Sequence, residues 1–156
     1  MLVNAALVLR SWSTIFDDPE LALAQTSEAS DLAADADEPL GRDFADGYHA
    51  FHLAVLRRYD EAEALARAVV ARAPHDERAS YPTYVGATAL STLLCVDAPA
   101  EALQYCDGPF GPPSERVSMW ASDLVEAAAR ASSGDAPAAA AITSTVLTRL
   151  AWAGQE

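Results

Sequence analysis

Two histidines, His49 and His52, stand three residues apart, with Asp43 and Asp46 at the same three-residue step before them. On a helix, one turn would separate the imidazoles, a spacing that suits two ligands of one metal ion. The pair lacks the glutamate of an HExxH arrangement, and no third strong ligand is defined. The competing reading is therefore that they are partly exposed groove or surface residues. Carboxylates cluster at Asp17, Asp18 and Glu20, and again at Asp35, Asp37 and Glu38. Paired carboxylates can do acid–base work or hold calcium. Here the first cluster has a helix-capping role and the second falls in a chain break. Neither follows the EF-hand loop, so both read as solvated.

Cys95 and Cys106 have no nearby charge pattern that would lower a thiol pKa, and they read as small buried apolar residues. Two cysteines without metal spacing do not make a disulfide framework. The chain has no GxSxG elbow or other nucleophile signature. The expectation is a protein with no catalytic residues, no metal and no cofactor.

Aromatic residues offer a different chemistry. Trp12, Trp120, Trp152, Tyr48, Tyr81 and Tyr84 fall on apolar stripes, where they either fill a core or line a groove. In the second case they would act with the guanidinium forks of Arg42, Arg57 and Arg58 as binding anchors. The candidate partner groove is Arg42, Tyr48, His49, His52, Tyr81, Tyr84 and Trp120.

The elements that would position these residues are all helical. Leu2 to Phe16 forms the first helix, with Val3, Leu7 and Trp12 near one face and Ala6, Leu9 and Ser13 widening it. Asp18-Pro19-Glu20 opens a second that runs to about Ala34: a capping carboxylate, a proline suited to the first helical position, and a charge that favours the positive end of the dipole. The run 35–41 breaks the chain. Arg42 to Arg58 follows, with Phe44, Tyr48, Phe51, Val55 and Leu56 near period 3.6. Tyr59 to Ala73 is next, inward through Ala62, Leu65, Ala66, Val69 and Val70, with Arg67 and Arg72 toward water and Pro74 as its stop. Ser80 to Cys95, Ala100 to about Cys106, Glu115 to Ala131 and Ala138 to Trp152 complete the set. The seventh is expected to bury Val117, Trp120, Leu124, Ala127 and Ala128. The glycines and prolines of 107–114 cannot continue a helix.

Long and short helices alternate, and each second helix opens alike: DPELALA from Asp18, YDEAEALA from Tyr59, DAPAEAL from Asp97 and GDAPAAAAI from Gly134. Leu21, Ala62, Ala100 and Ala138 align at steps of 41, 38 and 38 residues. A period of roughly 20–50 residues is the signature of a solenoid, whose hairpins cannot bury their faces alone. The reading is an all-α, right-handed superhelical stack of about four helical hairpins, at 2–34, 42–74, 80–107 and 115–153, in one domain spanning 1–156.

The second unit resembles a tetratricopeptide (TPR) repeat. Tyr59-Asp60-Glu61-Ala62 is similar to that family's turn and second-helix start, Pro74 to its closing proline, and Ala50 to a small position of the first helix. Gly134-Asp135 with Ala138 echoes the motif. Longer Ala/Arg/Asp-rich arrays of this kind resemble those of LuxR-type and related signalling-ATPase transcription regulators of bacteria. The resemblance covers the array only, since there is no P-loop and no basic DNA-reading helix. It implies an interaction or effector-sensing module in transcription or signalling.

Composition narrows the partners. The 156 residues are 51% hydrophobic, enough for a core, and carry 23 acidic against 10 basic residues, a net charge of −13. That field disfavours direct nucleic-acid binding and anionic membrane surfaces. Every basic residue is Arg, which together with scarce Asn and Ile reads as codon bias of a G+C-rich bacterial gene. The start lacks a positive n-region and its apolar run is interrupted, so the cytoplasm is the default. The expected partner is a protein, a peptide or a small effector held in a concave groove. A self-associating scaffold is the alternative, because the apolar ends suit a second copy or a covalent neighbour domain. A small hydrolase or metal-binding protein is third.

Overall fold

The computed structural model describes residues 2–72, 80–107 and 120–153. These form eight α-helices and no strand: α1 (Leu2–Thr14), α2 (Pro19–Asp35), α3 (Pro39–Val55), α4 (Tyr59–Arg72), α5 (Ser80–Cys95), α6 (Pro99–Asp107), α7 (Trp120–Ser132) and α8 (Ala136–Ala153). The local causes are visible at the starts. Asp18 accepts a hydrogen bond from the Leu21 N–H at 3.1 Å, and Pro19 occupies the first helical position. Asp135 does the same for the Ala138 N–H at 3.2 Å. Proline also opens α3 and α6, at Pro39 and Pro99.

α3 therefore begins three residues before the expected Arg42, since the break needs only the turn up to Glu38. The expected extensions of α4 to Ala73 and of α7 back to Glu115, and the stop at Pro74, lie outside the described residues.

One turn recurs. After α2, α3, α5 and α7 the chain places a single residue in the left-handed region: Asp37 (φ 54°), Arg57 (φ 62°), Asp97 (φ 62°) and Gly134 (φ 88°). In each, that residue's N–H and the next one's N–H return to carbonyls of the last helical turn, as in Arg57 N–H to Ala54 O and Arg58 N–H to Leu53 O. This closes orphan carbonyls and reverses the chain within a few residues. Only one of the four positions is glycine, so three carry the cost of a side chain there.

The odd-numbered helices α1, α3, α5 and α7 pack in succession. Each even-numbered helix lies against the odd helix before it, and α2, α4 and α6 also against the one after. Small residues allow the close approach: Ala50, Ala66, Ala102 and Ala129 meet Leu90, Leu93 and Cys106 in the largest buried cluster, which joins α3 through α7.

Two helix faces differ from expectation. α1 buries Val8 and Ser11 while Val3, Leu9 and Trp12 are exposed, and in the turn that follows Ile15 is buried and Phe16 exposed. α7 buries Asp123, Glu126, Ala127 and Ala129 and turns Leu124 and Ala128 outward. Among the described residues no helix is long and apolar enough to cross a membrane.

Candidate functional site

Asp43, Asp46, His49 and His52 share α3, yet they do not share a side of it. Each three-residue step turns the helix back by about 60°, so the stripe sweeps about 180° from Asp43 to His52. Its first residues meet α4. Arg72 donates from Nε to Asp43 Oδ1 at 2.7 Å and from Nη2 to Asp46 Oδ2 at 2.6 Å. Its later residues meet α2. The Ser30 hydroxyl donates to Asp46 Oδ1 at 2.6 Å, and Thr26 Oγ1 lies 2.8 Å from His49 Nδ1. Asp46 thus ties α2, α3 and α4 together.

His52 ends the stripe. It is wholly buried, and neither ring nitrogen has a hydrogen-bond partner. The Ala22 carbonyl faces it closely enough to favour the charged ring slightly, without hydrogen-bond geometry. Burial dominates: it pushes the imidazole down to about 4, helped by the neighbouring His49. His49 is also pushed down, by burial first, with Asp46 opposing and Arg58 assisting.

The expectation that both histidines are partly exposed holds for His49 and fails for His52. His49 is engaged by Thr26, and among the described residues no group of three or more His, Cys, Asp or Glu could hold a metal ion. Arg72, expected to face water, is half-buried and committed to two buried carboxylates.

The other candidate groove residues separate. Arg42 is exposed, with its Nε 3.8 Å from Asp46. It lines a shallow cleft of about 230 Å³ with Asp37, Glu38, Asp43 and Arg72. Three carboxylates and two guanidiniums share it, and Arg72 is already bound to Asp43, so the cleft carries mixed charge of both signs. Tyr48 is buried, its ring edge-on to Trp12 at 5.5 Å and to Phe44 at 5.1 Å. Tyr81 and Tyr84 fall within α5 and Trp120 opens α7, but their side chains lie outside the described residues.

Cys106 is buried as expected, whereas Cys95 is exposed. Partial burial still pushes the Cys95 thiol up, away from the reactive thiolate.

The structure brings together residues that the groove prediction did not select. Trp12 of α1, 49% exposed, stacks on Phe51 of α3 with ring centroids 5.4 Å apart and planes at 25°. Leu9, three residues before Trp12 on the same side of α1, is 62% exposed, and Phe16, 80% exposed, follows in the turn after α1. Val55, also exposed, is four residues beyond Phe51 on α3. Leu9, Trp12, Phe51 and Val55 thus give an apolar strip on two adjacent odd-numbered helices, joined by the Trp12–Phe51 stack, with Phe16 exposed in the turn beyond α1. The sequence signal was present: apart from Asn4, Arg10 and its hydroxyl residues α1 is apolar, so it offers more apolar surface than one buried side takes up.

Compared with protein-family models, curated proteins and solved structures, the chain matches none.

Proposed function

We propose that this protein is a non-catalytic interaction module that holds a protein or peptide segment against the odd-numbered helices. The observation that carries this is the exposed apolar face of Leu9, Trp12, Phe16, Phe51 and Val55. A large aromatic left half-exposed and pre-stacked is a rigid anchor, and residues of this kind dominate binding energy at interfaces. The histidines and carboxylates of α3 are consumed by packing, so they add no convergent polar site for chemistry.

The finer architecture we infer is the right-handed TPR-like stack of about four hairpins. The neighbour pattern supports it, because each even helix is wedged between successive odd ones and leaves the odd row on one surface. Service in a bacterial transcription or signalling regulator follows from the family resemblance alone.

The test is site-specific photocrosslinking in the native cell, with the probe at Phe16 and, as control, at the exposed Ala64 of α4. A discrete crosslinked species at Phe16 and none at Ala64 is the expected result. Equal or absent crosslinking at both positions refutes the reading.

A further inference from the structure

We infer that the segment docking on this face is a basic amphipathic helix of a partner protein. The inference rests on the interaction reading above and deepens it. The apolar face and an acidic edge adjoin. Phe16 is followed directly by Asp17 and Asp18, and Val55 ends α3 just before the turn into α4. The two turns are neighbours in space, since Glu20 at the start of α2 is close enough to Arg58 to favour its charged form. In these two turns and the helix starts after them stand Asp17, Asp18, Glu20, Asp60 and Glu61 with Arg57 and Arg58, more carboxylates than guanidiniums, within a chain of net −13.

Three occupants compete for the face, and charge separates them. A second copy would bring −13 against −13 and set acidic edge beside acidic edge, which like-charge repulsion opposes. An anionic lipid surface is opposed in the same way. A cationic segment is drawn in by the same field and can place its apolar side on the aromatic strip. The spacing suits a helix: Leu9 and Trp12 on α1, and Phe51 and Val55 on α3, are each about one helical turn apart, which matches a docking helix with apolar residues at i, i+3, i+4 and i+7.

The experiment uses the full chain and three peptides of about 14 residues, a length near the lower limit for a stable isolated helix. They share one leucine pattern, with lysine, glutamine or glutamate at every other position. Binding is read by anisotropy of the labelled peptides. The double variant Leu9→Gln, Phe16→Gln serves as the face control. Both side chains are mostly exposed, so the fold, checked by circular dichroism, is retained. The expected result has the lysine peptide binding at least about tenfold tighter than the glutamine peptide, with the advantage shrinking as salt rises. The double variant should lose this binding.

If the glutamine or glutamate peptide binds the face as well as the lysine one, the interaction reading stands and the basic partner is overturned. If no peptide binds below about 0.1 mM, an affinity near the weak limit of specific recognition, both readings fall. Both also fall if the lysine peptide binds the double variant equally well. Light scattering that shows a dimer abolished by the double variant assigns the face to a second copy and overturns the proposal.

Discussion

Replacing His52 by phenylalanine is expected to make the protein more stable at neutral pH and far less sensitive to acid. His52 is wholly buried with both ring nitrogens unpartnered, between the rings of Tyr48 and Phe51 at 6.4 and 6.1 Å. Leaving a buried polar group unsatisfied costs about 1–3 kcal/mol, and an apolar group of similar shape removes that cost. Part of the gain goes to fitting the larger ring, so a net gain of about 1 kcal/mol at pH 7 is expected. The acid effect is larger. The folded imidazole titrates at about 4, against 6.5 for the ordinary side chain. The unfolded chain is therefore the better proton acceptor, and stability falls as pH drops from 6.5 toward 4, then levels off. At about 1.4 kcal/mol per pKa unit the full loss is about 3.5 kcal/mol, a large share of the roughly 5–15 kcal/mol typical of a domain. Urea unfolding followed by far-UV circular dichroism between about pH 8 and pH 4 measures both quantities, for wild type and His52→Phe side by side. Acid effects of other groups cancel in the difference. The reasoning is refuted if the two curves run parallel between pH 6.5 and 4, or if the variant loses more than about 1 kcal/mol at pH 7, the worth of a hydrogen bond the ring would then have to be making.

Other outcomes follow from the same structure. Arg57→Gly should raise stability by about 1 kcal/mol, because it relieves a side chain held at positive φ, while Gly134→Ala should lower it by a similar amount with no steric clash involved; thermal melts distinguish these signs. Arg72→Ala strands Asp43 and Asp46, both buried, and should cost about 2 kcal/mol. That is less than for a fully enclosed pair, because Arg72 keeps 37% exposure and Ser30 still bonds Asp46. Asp18→Ala removes the cap of α2 and should cost about 1 kcal/mol by chemical denaturation. The bidentate contact of Arg67 with Glu101 joins α4 to α6 on the exposed side, and it holds the Glu101 carboxyl below its ordinary range. The coupling between those two residues in a double-mutant cycle should therefore weaken in high salt, and should be lost as pH falls through the lowered Glu101 pKa.

The helices were legible because their starts and stops are chemical. Pro19, Pro39 and Pro99 fit the first turn, Asp18 and Asp135 cap, and Gly134 fits a left-handed position. Faces were less legible. On α1 the apolar residues are too widely spread for periodicity to say which side meets α2 and α3, and the side carrying Val8 and Ser11 was chosen by neighbours far away in sequence. α7 misled in the opposite way, by burying Asp123 and Glu126 beside Ala127 and Ala129. Asp123 is there the acceptor of an ion pair with Arg149 of α8, 26 residues on. A local pattern cannot anticipate such a partner. The left-handed turns at Asp37, Arg57 and Asp97 were hidden for the same reason, since their geometry follows from helix packing and not from a glycine.

The same reasoning separates structural from functional polarity here. The residues that look most like chemistry, Asp43 through His52, form a stripe at a drifting three-residue step. A drifting stripe on a central helix must face different neighbours in turn. It meets Arg72 first, then Ser30, then Thr26, and finally the apolar surroundings of His52. Alanine faces are nearly interchangeable in shape, so on their own they would allow a helix to shift against its neighbour at small cost. A hydrogen bond to a charged group is worth about 1.5–3 kcal/mol and exists in only one register. Apart from the unpartnered ring nitrogens of His52, the stripe's polar side chains are thus accounted for by holding α2, α3 and α4 in place. What the packing leaves exposed around the Trp12–Phe51 stack is apolar: Leu9, Trp12, Phe16 and Val55. Burying such side chains is worth about 1.5–3 kcal/mol each when a partner covers them fully. That makes the odd-numbered face, and not the histidine pair, the place where a second molecule gains the most.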